Sequence, residues 1–103
     1  MDPRRGPRFA TRFDALYSAG DGESGAGVLS EISYAGARLD DASVKPPVGT
    51  AVTLYVFVQP VAPFELRGHV ARLTESGFAV RYDLFDPEIR RLVDDVSAIV
   101  AAA

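Results

Sequence analysis

Apolar residues recur in this chain mostly at every second position, in short runs broken by glycine, proline and acidic residues, and the period changes once, near residue 86. Phe9, Phe13 and Tyr17, interleaved with Ala10, Arg12 and Leu16, give a first, mixed strand signal. It stops at residues 18–27, rich in Gly, Ser and acids, which read as a hairpin connection or a flexible rim. Strand character resumes over 28–34, breaks at Gly36 and continues briefly through Ala37, Arg38 and Leu39. The polar stretch 40–49 contains Pro46 and Pro47, which exclude a central strand there. Val52, Leu54, Val56 and Val58 then alternate with Thr53, Tyr55 and Phe57. Both sets are largely apolar, so the pattern predicts a strand covered on both faces. Residues 66–73 and 77–82 are two further strands, separated by turn residues Glu75, Ser76 and Gly77.

The closing segment has a different period. Ile89, Leu92, Val93, Val96, Ile99 and Val100 recur at three- and four-residue steps, the mark of one apolar helical face. Asp86 and Pro87 supply N-cap and first-turn signals, and Glu88 suits the positive end of the helix dipole. The expected fold is therefore mostly β: a small antiparallel six-stranded β-barrel with one C-terminal α-helix from about residue 86, its apolar stripe laid over one opening or face.

Length fits one domain of 103 residues, with 48% apolar and 24% charged positions, ordinary for a globular chain. Residues 1–8 have almost nothing to bury and are expected to form a flexible Arg-rich segment, leaving 9–103 as the folded domain. No apolar run is long enough to span a bilayer, and no secretory signal pattern opens the chain, so no membrane insertion and a cytoplasmic location are expected. The chain lacks cysteine and has a single histidine, His69, in a strand. With these parts a thiolate metal site or a Ser/His/acid triad cannot be assembled, and His69 is expected to be structural. A net charge of −3 speaks against a general DNA or RNA binder. Four of the eleven basic residues, Arg4, Arg5, Arg8 and Arg12, nonetheless fall within the first twelve positions, which implies a local anion site.

Two stretches carry candidate chemistry. In Arg4-Arg5-Gly6-Pro7-Arg8, guanidinium forks suit phosphate oxygens or the O6/N7 edge of guanine, and their planes stack on purines. In Glu31-Ile32-Ser33-Tyr34-Ala35-Gly36, an acid and a hydroxyl lie two positions apart on one strand face, before a glycine that admits a ligand or another backbone. The carboxylate can accept from guanine N1 and N2, and the serine can donate to a phosphate or cap the turn.

These stretches, in these places, resemble the two motifs of the PilZ family: RxxxR before the first strand and (D/N)xSxxG at the end of the second. Arg4 and Arg8 match the arginine pair, with Pro7 before the second, although Arg8 and Arg12 have the same spacing; Ser33 and Gly36 match the second motif. Glu31 departs from it, standing one methylene longer where the family has Asp or Asn. The Pro-Gly turn signals at Pro47 and Gly49, the strand at 51–58, and the ending 77–82 before Asp86-Pro87-Glu88 also follow the family layout.

The resemblance implies a receptor and not an enzyme. Cyclic di-GMP, often as an intercalated dimer, would be held by Arg4, Arg5, Arg8, Glu31, Ser33 and Gly36, with no metal and no cofactor, while the N-terminal segment wraps over it. The output would pass to an unidentified effector protein. The competing reading is a degenerate PilZ-like interaction module that does not bind the nucleotide, using apolar candidates Tyr55, Phe57, Val61 and Phe64; the same aromatics would also suit a strand buried on both faces.

Overall fold

The computed structural model describes residues 8–58, 63–83 and 87–102. Six strands, β1 (Arg8–Ala19), β2 (Ser24–Ser33), β3 (Gly36–Asp40), β4 (Ala51–Val56), β5 (Phe64–Leu73) and β6 (Phe78–Tyr82), precede one helix, α1 (Pro87–Ala102). All neighbours are antiparallel, and the order β1-β2-β3-β6-β5-β4 closes into a barrel when β4 returns to β1. The expected six-stranded barrel with a single C-terminal helix is thus the observed fold. β1 already begins at Arg8, and residues 1–7, with the expected flexible segment, lie outside the described residues.

Alternation fills the interior. Ala15 and Tyr17 of β1, Leu29 and Ile32 of β2, Leu39 of β3, Val52, Leu54 and Val56 of β4, Leu66 and Val70 of β5, and Phe78 and Val80 of β6 are all buried. Burial of such apolar surface, at about 25 cal/mol per Å², is the main stabilising contribution. Helix α1 adds Val93 and Val96 to this core, with Ile89, Leu92 and Ile99 packed alongside, while Arg90, Arg91, Asp94 and Asp95 face solvent. The expected N-cap, Asp86, lies outside the described residues.

Two expectations are corrected. Residues 18–27 do hold a hairpin connection, but a shorter one than expected: β1 runs to Ala19 and β2 starts at Ser24, joined by a tight turn with Gly22 at φ 91° and Asp21 Oδ1 accepting the Glu23 N–H at 2.9 Å. Serines and glycines in flanking strand positions masked that turn. Strand β4 is not covered on both faces either. In a closed barrel only one face of each strand turns inward, so Tyr55 and Phe57 stay 38% and 39% exposed, and Leu16, opposite Tyr55 on β1, is 50% exposed. Phe64 instead packs against the core, and Val61 lies outside the described residues.

Three register shifts bend the sheet into a barrel, between Ala10 and Phe13, Leu29 and Glu31, and Val70 and Arg72. Side chains repair two of them: Thr11 Oγ1 donates to the Leu29 carbonyl at 2.7 Å, and Ser30 Oγ donates to the Arg38 carbonyl at 3.2 Å.

Candidate functional site

The antiparallel register lays chemically unlike residues side by side on neighbouring strands. Arg8 of β1 stands opposite Ser33 of β2, Glu31 of β2 opposite Arg38 of β3, and Gly36 of β3 opposite Arg81 of β6. The end of the arginine stretch and the stretch 31–36 therefore meet on adjacent strands at one end of the barrel. Arg4 and Arg5 lie outside the described residues, and only the backbone of Arg8 is described.

Ser33 is buried at 9% exposure, and its hydroxyl is spent on the hairpin joining β2 to β3. It accepts the N–H groups of Ala35 and Gly36 at 3.3 and 3.2 Å and donates to the Gly36 carbonyl at 3.1 Å. Of the two uses open to this serine, capping the turn is the one observed. Gly36 is required by the sheet: a Cβ there would stand 2.1 Å from the Val80 carbonyl oxygen on β6. The glycine admits another backbone, and in doing so leaves bare the outer face beside Arg81.

Glu31 projects outward, its side chain 31% exposed and its carboxylate 3.9 Å from Nη1 of Arg38. Arg38 is a residue that the sequence reading passed over. Its Nε donates to Ser30 Oγ at 3.2 Å and stands 3.6 Å from Asp40. Hydroxyls of Ser30 and Ser76 beside Asp40, with help from the Arg38 charge, hold that carboxyl below the usual carboxylate range. Half-exposed ion pairs contribute at most about 1 kcal/mol, so this network orients Glu31 and Arg38 more than it stabilises the fold. Its one signal in the sequence was spacing, since Arg38 follows Gly36 by two positions and so shares its face.

Tyr34, inside the same turn, reaches the helix. Its hydroxyl donates to Asp94 Oδ1 at 2.5 Å, and the Arg90 guanidinium lies 5.0 Å from its ring centroid. The hydrogen bond to Asp94 raises the phenol pKa above its ordinary value. No sequence signal joins positions 60 residues apart in this way. His69, expected to be structural, pairs with Asp83 on the outer face next to Arg81. Among the described residues no group of His, Cys, Asp or Glu could hold a metal ion, and no helix is long and apolar enough to cross a membrane.

Comparison with known families turns this arrangement into an assignment, because the family model for the PilZ domain matches residues 2–98. The chain belongs to the PilZ family. PilZ domains are binding and adaptor modules that generally take cyclic di-GMP as ligand. The barrel of this PilZ domain is similar to the crystal structure of the PilZ domain of CeSA from a cellulose-synthesizing bacterium, with a TM-score of 0.73 and 16% sequence identity. That likeness covers 88% of this chain and 98% of the other, and at such low identity it concerns the fold alone. A search of curated proteins gave no match.

Proposed function

We propose that this PilZ domain is a cyclic di-GMP receptor and adaptor, binding the dinucleotide on the outer face of β2 and β3 and passing the signal to a partner protein. The observation that carries the reading is the register: Arg8 opposite Ser33, two strand positions from the partly exposed Glu31 carboxylate and its Arg38 partner. Arg4, Arg5 and Arg8 supply bidentate donors for phosphates and guanine. Glu31 accepts from guanine N1 and N2, while Ser33 and Gly36 keep the hairpin low enough for the ligand to approach the sheet. Residues 1–8 close over the bound nucleotide, as a monomer or an intercalated dimer, and so alter the surface that a cytoplasmic effector protein meets. The domain carries out no reaction.

Calorimetric titration with cyclic di-GMP tests this. Saturable binding is expected, abolished by the double substitution Arg4→Ala and Arg8→Ala without a change in the melting temperature of the free domain. Glu31→Asp restores the acceptor position of the family motif and should tighten binding by about fivefold. If neither the parent nor the Glu31→Asp form takes up the nucleotide, the receptor reading falls. The exposed cluster of Leu16, Tyr55 and Phe57 then favours the second reading, an interaction module that contacts its partner directly.

A further inference from the structure

Arg81 lies outside both motifs, yet the sheet brings it to the edge of the proposed site. Val80 and Tyr82 are buried on either side of it, so Arg81 and Ala79 face outward on β6. Gly36 is paired with Arg81 and Arg38 with Ala79, which makes a four-residue cell on the outside of β3 and β6. Two arginines occupy one diagonal of that cell, and the two smallest residues of the region occupy the other. Diagonal neighbours on one sheet face lie about 7 to 8 Å apart. The floor between the guanidinium groups is therefore flat and nearly free of side-chain bulk.

The two arginines are not equivalent. Arg38 is engaged by Ser30, Glu31 and Asp40. Arg81 is exposed and, among the described residues, its guanidinium makes no hydrogen bond and no ion pair. Its acidic neighbour along the strand, Asp83, is taken by His69. An uncommitted guanidinium at the rim of a flat, small-residue floor has five donors and no competing acceptor.

We infer that Arg81 is a further nucleotide-contacting residue, donating in bidentate fashion to the O6/N7 edge of a guanine base laid over Gly36 and Ala79. The inference rests on the receptor reading above and names the grip on the side of the site away from the N-terminal arginines. Glu31 and Arg81 stand two strands and two residues of rise apart, roughly 12 Å between backbones, so long side chains can address opposite edges of one purine between them. Arginine suits this role because its planar fork matches O6 and N7 together, whereas a lysine offers a single point charge.

The test is calorimetry of the full chain with cyclic di-GMP, comparing the parent, Arg81→Ala, Arg81→Lys and Arg67→Ala. Arg67 is the charge-matched control: it is exposed on β5, paired with Glu65 at 3.1 Å and opposite Thr53, away from the cell. Arg81→Ala should weaken binding about tenfold or more, Arg81→Lys should recover only part of that loss, and Arg67→Ala should stay within about twofold of the parent. Free-domain melting temperatures should be unchanged throughout, because Arg81 supports no contact in the fold. Binding by the parent with an equal response to Arg81→Ala and Arg67→Ala overturns the inference and leaves the receptor standing. Full affinity in Arg81→Lys overturns the guanine-edge contact. No binding by the parent removes the receptor reading itself, and this inference with it.

Discussion

The two ends of the barrel are closed by different means. At one end Tyr17 packs edge-on against Phe78, centroids 5.1 Å apart, and its hydroxyl accepts the Val44 N–H at 3.0 Å while donating to the Val44 carbonyl. Lys45 then ties the same loop to the β5–β6 turn, donating to the carbonyls of Thr74 and Glu75 at 2.7 and 2.6 Å. At the other end Tyr82 is also buried, but its hydroxyl has no hydrogen-bond partner among the described residues, and burial pushes that phenol's pKa up. Closure there comes from helix α1, through Val93 and Val96. Loop hydrogen bonds pin one end, whereas the apolar face of the helix covers the other. The candidate site belongs to the second end, where the Tyr82 N–H donates to Ala35 in the Ser33–Gly36 turn and Tyr34 reaches Asp94. The domain thus joins a pinned end to a helix-covered one, and the candidate site lies at the helix-covered end.

This contrast can be broken at several points. The largest effect is expected from truncation after Pro87, which strips the apolar cover from the helix-covered end; the product should aggregate or lose cooperative unfolding. A soluble truncation with a sharp thermal transition would falsify the closure described. Next comes Gly36→Ala, whose new methyl would overlap the Val80 carbonyl and prise β3 from β6, costing about 3 kcal/mol in urea unfolding. At the pinned end, Tyr17→Phe should cost about 1 to 2 kcal/mol, since both polar groups of Val44 lose their partner. Tyr82→Phe should do the opposite and leave stability unchanged or raise it by up to about 1 kcal/mol, because an unpaired buried hydroxyl is removed. Equal losses from the two tyrosine changes would erase the distinction between the ends.

The smallest effects concern pH. Asp40, at the pinned end, has a folded value below its ordinary 3.8. Its contribution is therefore fully present above that value and is lost as pH falls through the folded one. Tyr34, at the helix-covered end, is raised above 10.0, so its contribution is present below that pH and lost as pH climbs through the folded value. Asp40→Asn should flatten the acid limb of a stability profile and Tyr34→Phe the alkaline limb. A substitution that flattens the limb opposite to the one expected would contradict these assignments.

How much of this was legible in the sequence depends on the range of the interaction. Period-2 runs and the change of period at the C-terminus predicted six strands and one helix, because inward-facing residues alternate whatever the strand order. The motif at 31–36 was legible for the same reason: Glu31 and Ser33 share a face by spacing alone. Strand closure was not, and with it the exposure of Tyr55 and Phe57, since an apolar residue looks the same on either face until topology decides. Arg38 and Arg81 gain their meaning from register, which the bulges at Ser30 and Ala71 shift by one residue each. The contact between Tyr34 and the helix depends on tertiary packing and leaves no local trace.

Closure has one more consequence. Each of the six strands has a hydrogen-bonded neighbour on both sides, with β1 and β4 sealing the seam over Ala15–Ala19 and Val52–Val56. An open sheet offers its outermost N–H and C=O groups to any passing chain, the route to β-augmentation and to fibril growth. Along this seam that route is shut, so a partner that meets these residues must read side chains, turns or the helix. Over these residues a chain with 48% apolar positions and strong strand patterning offers no open edge for templated self-association.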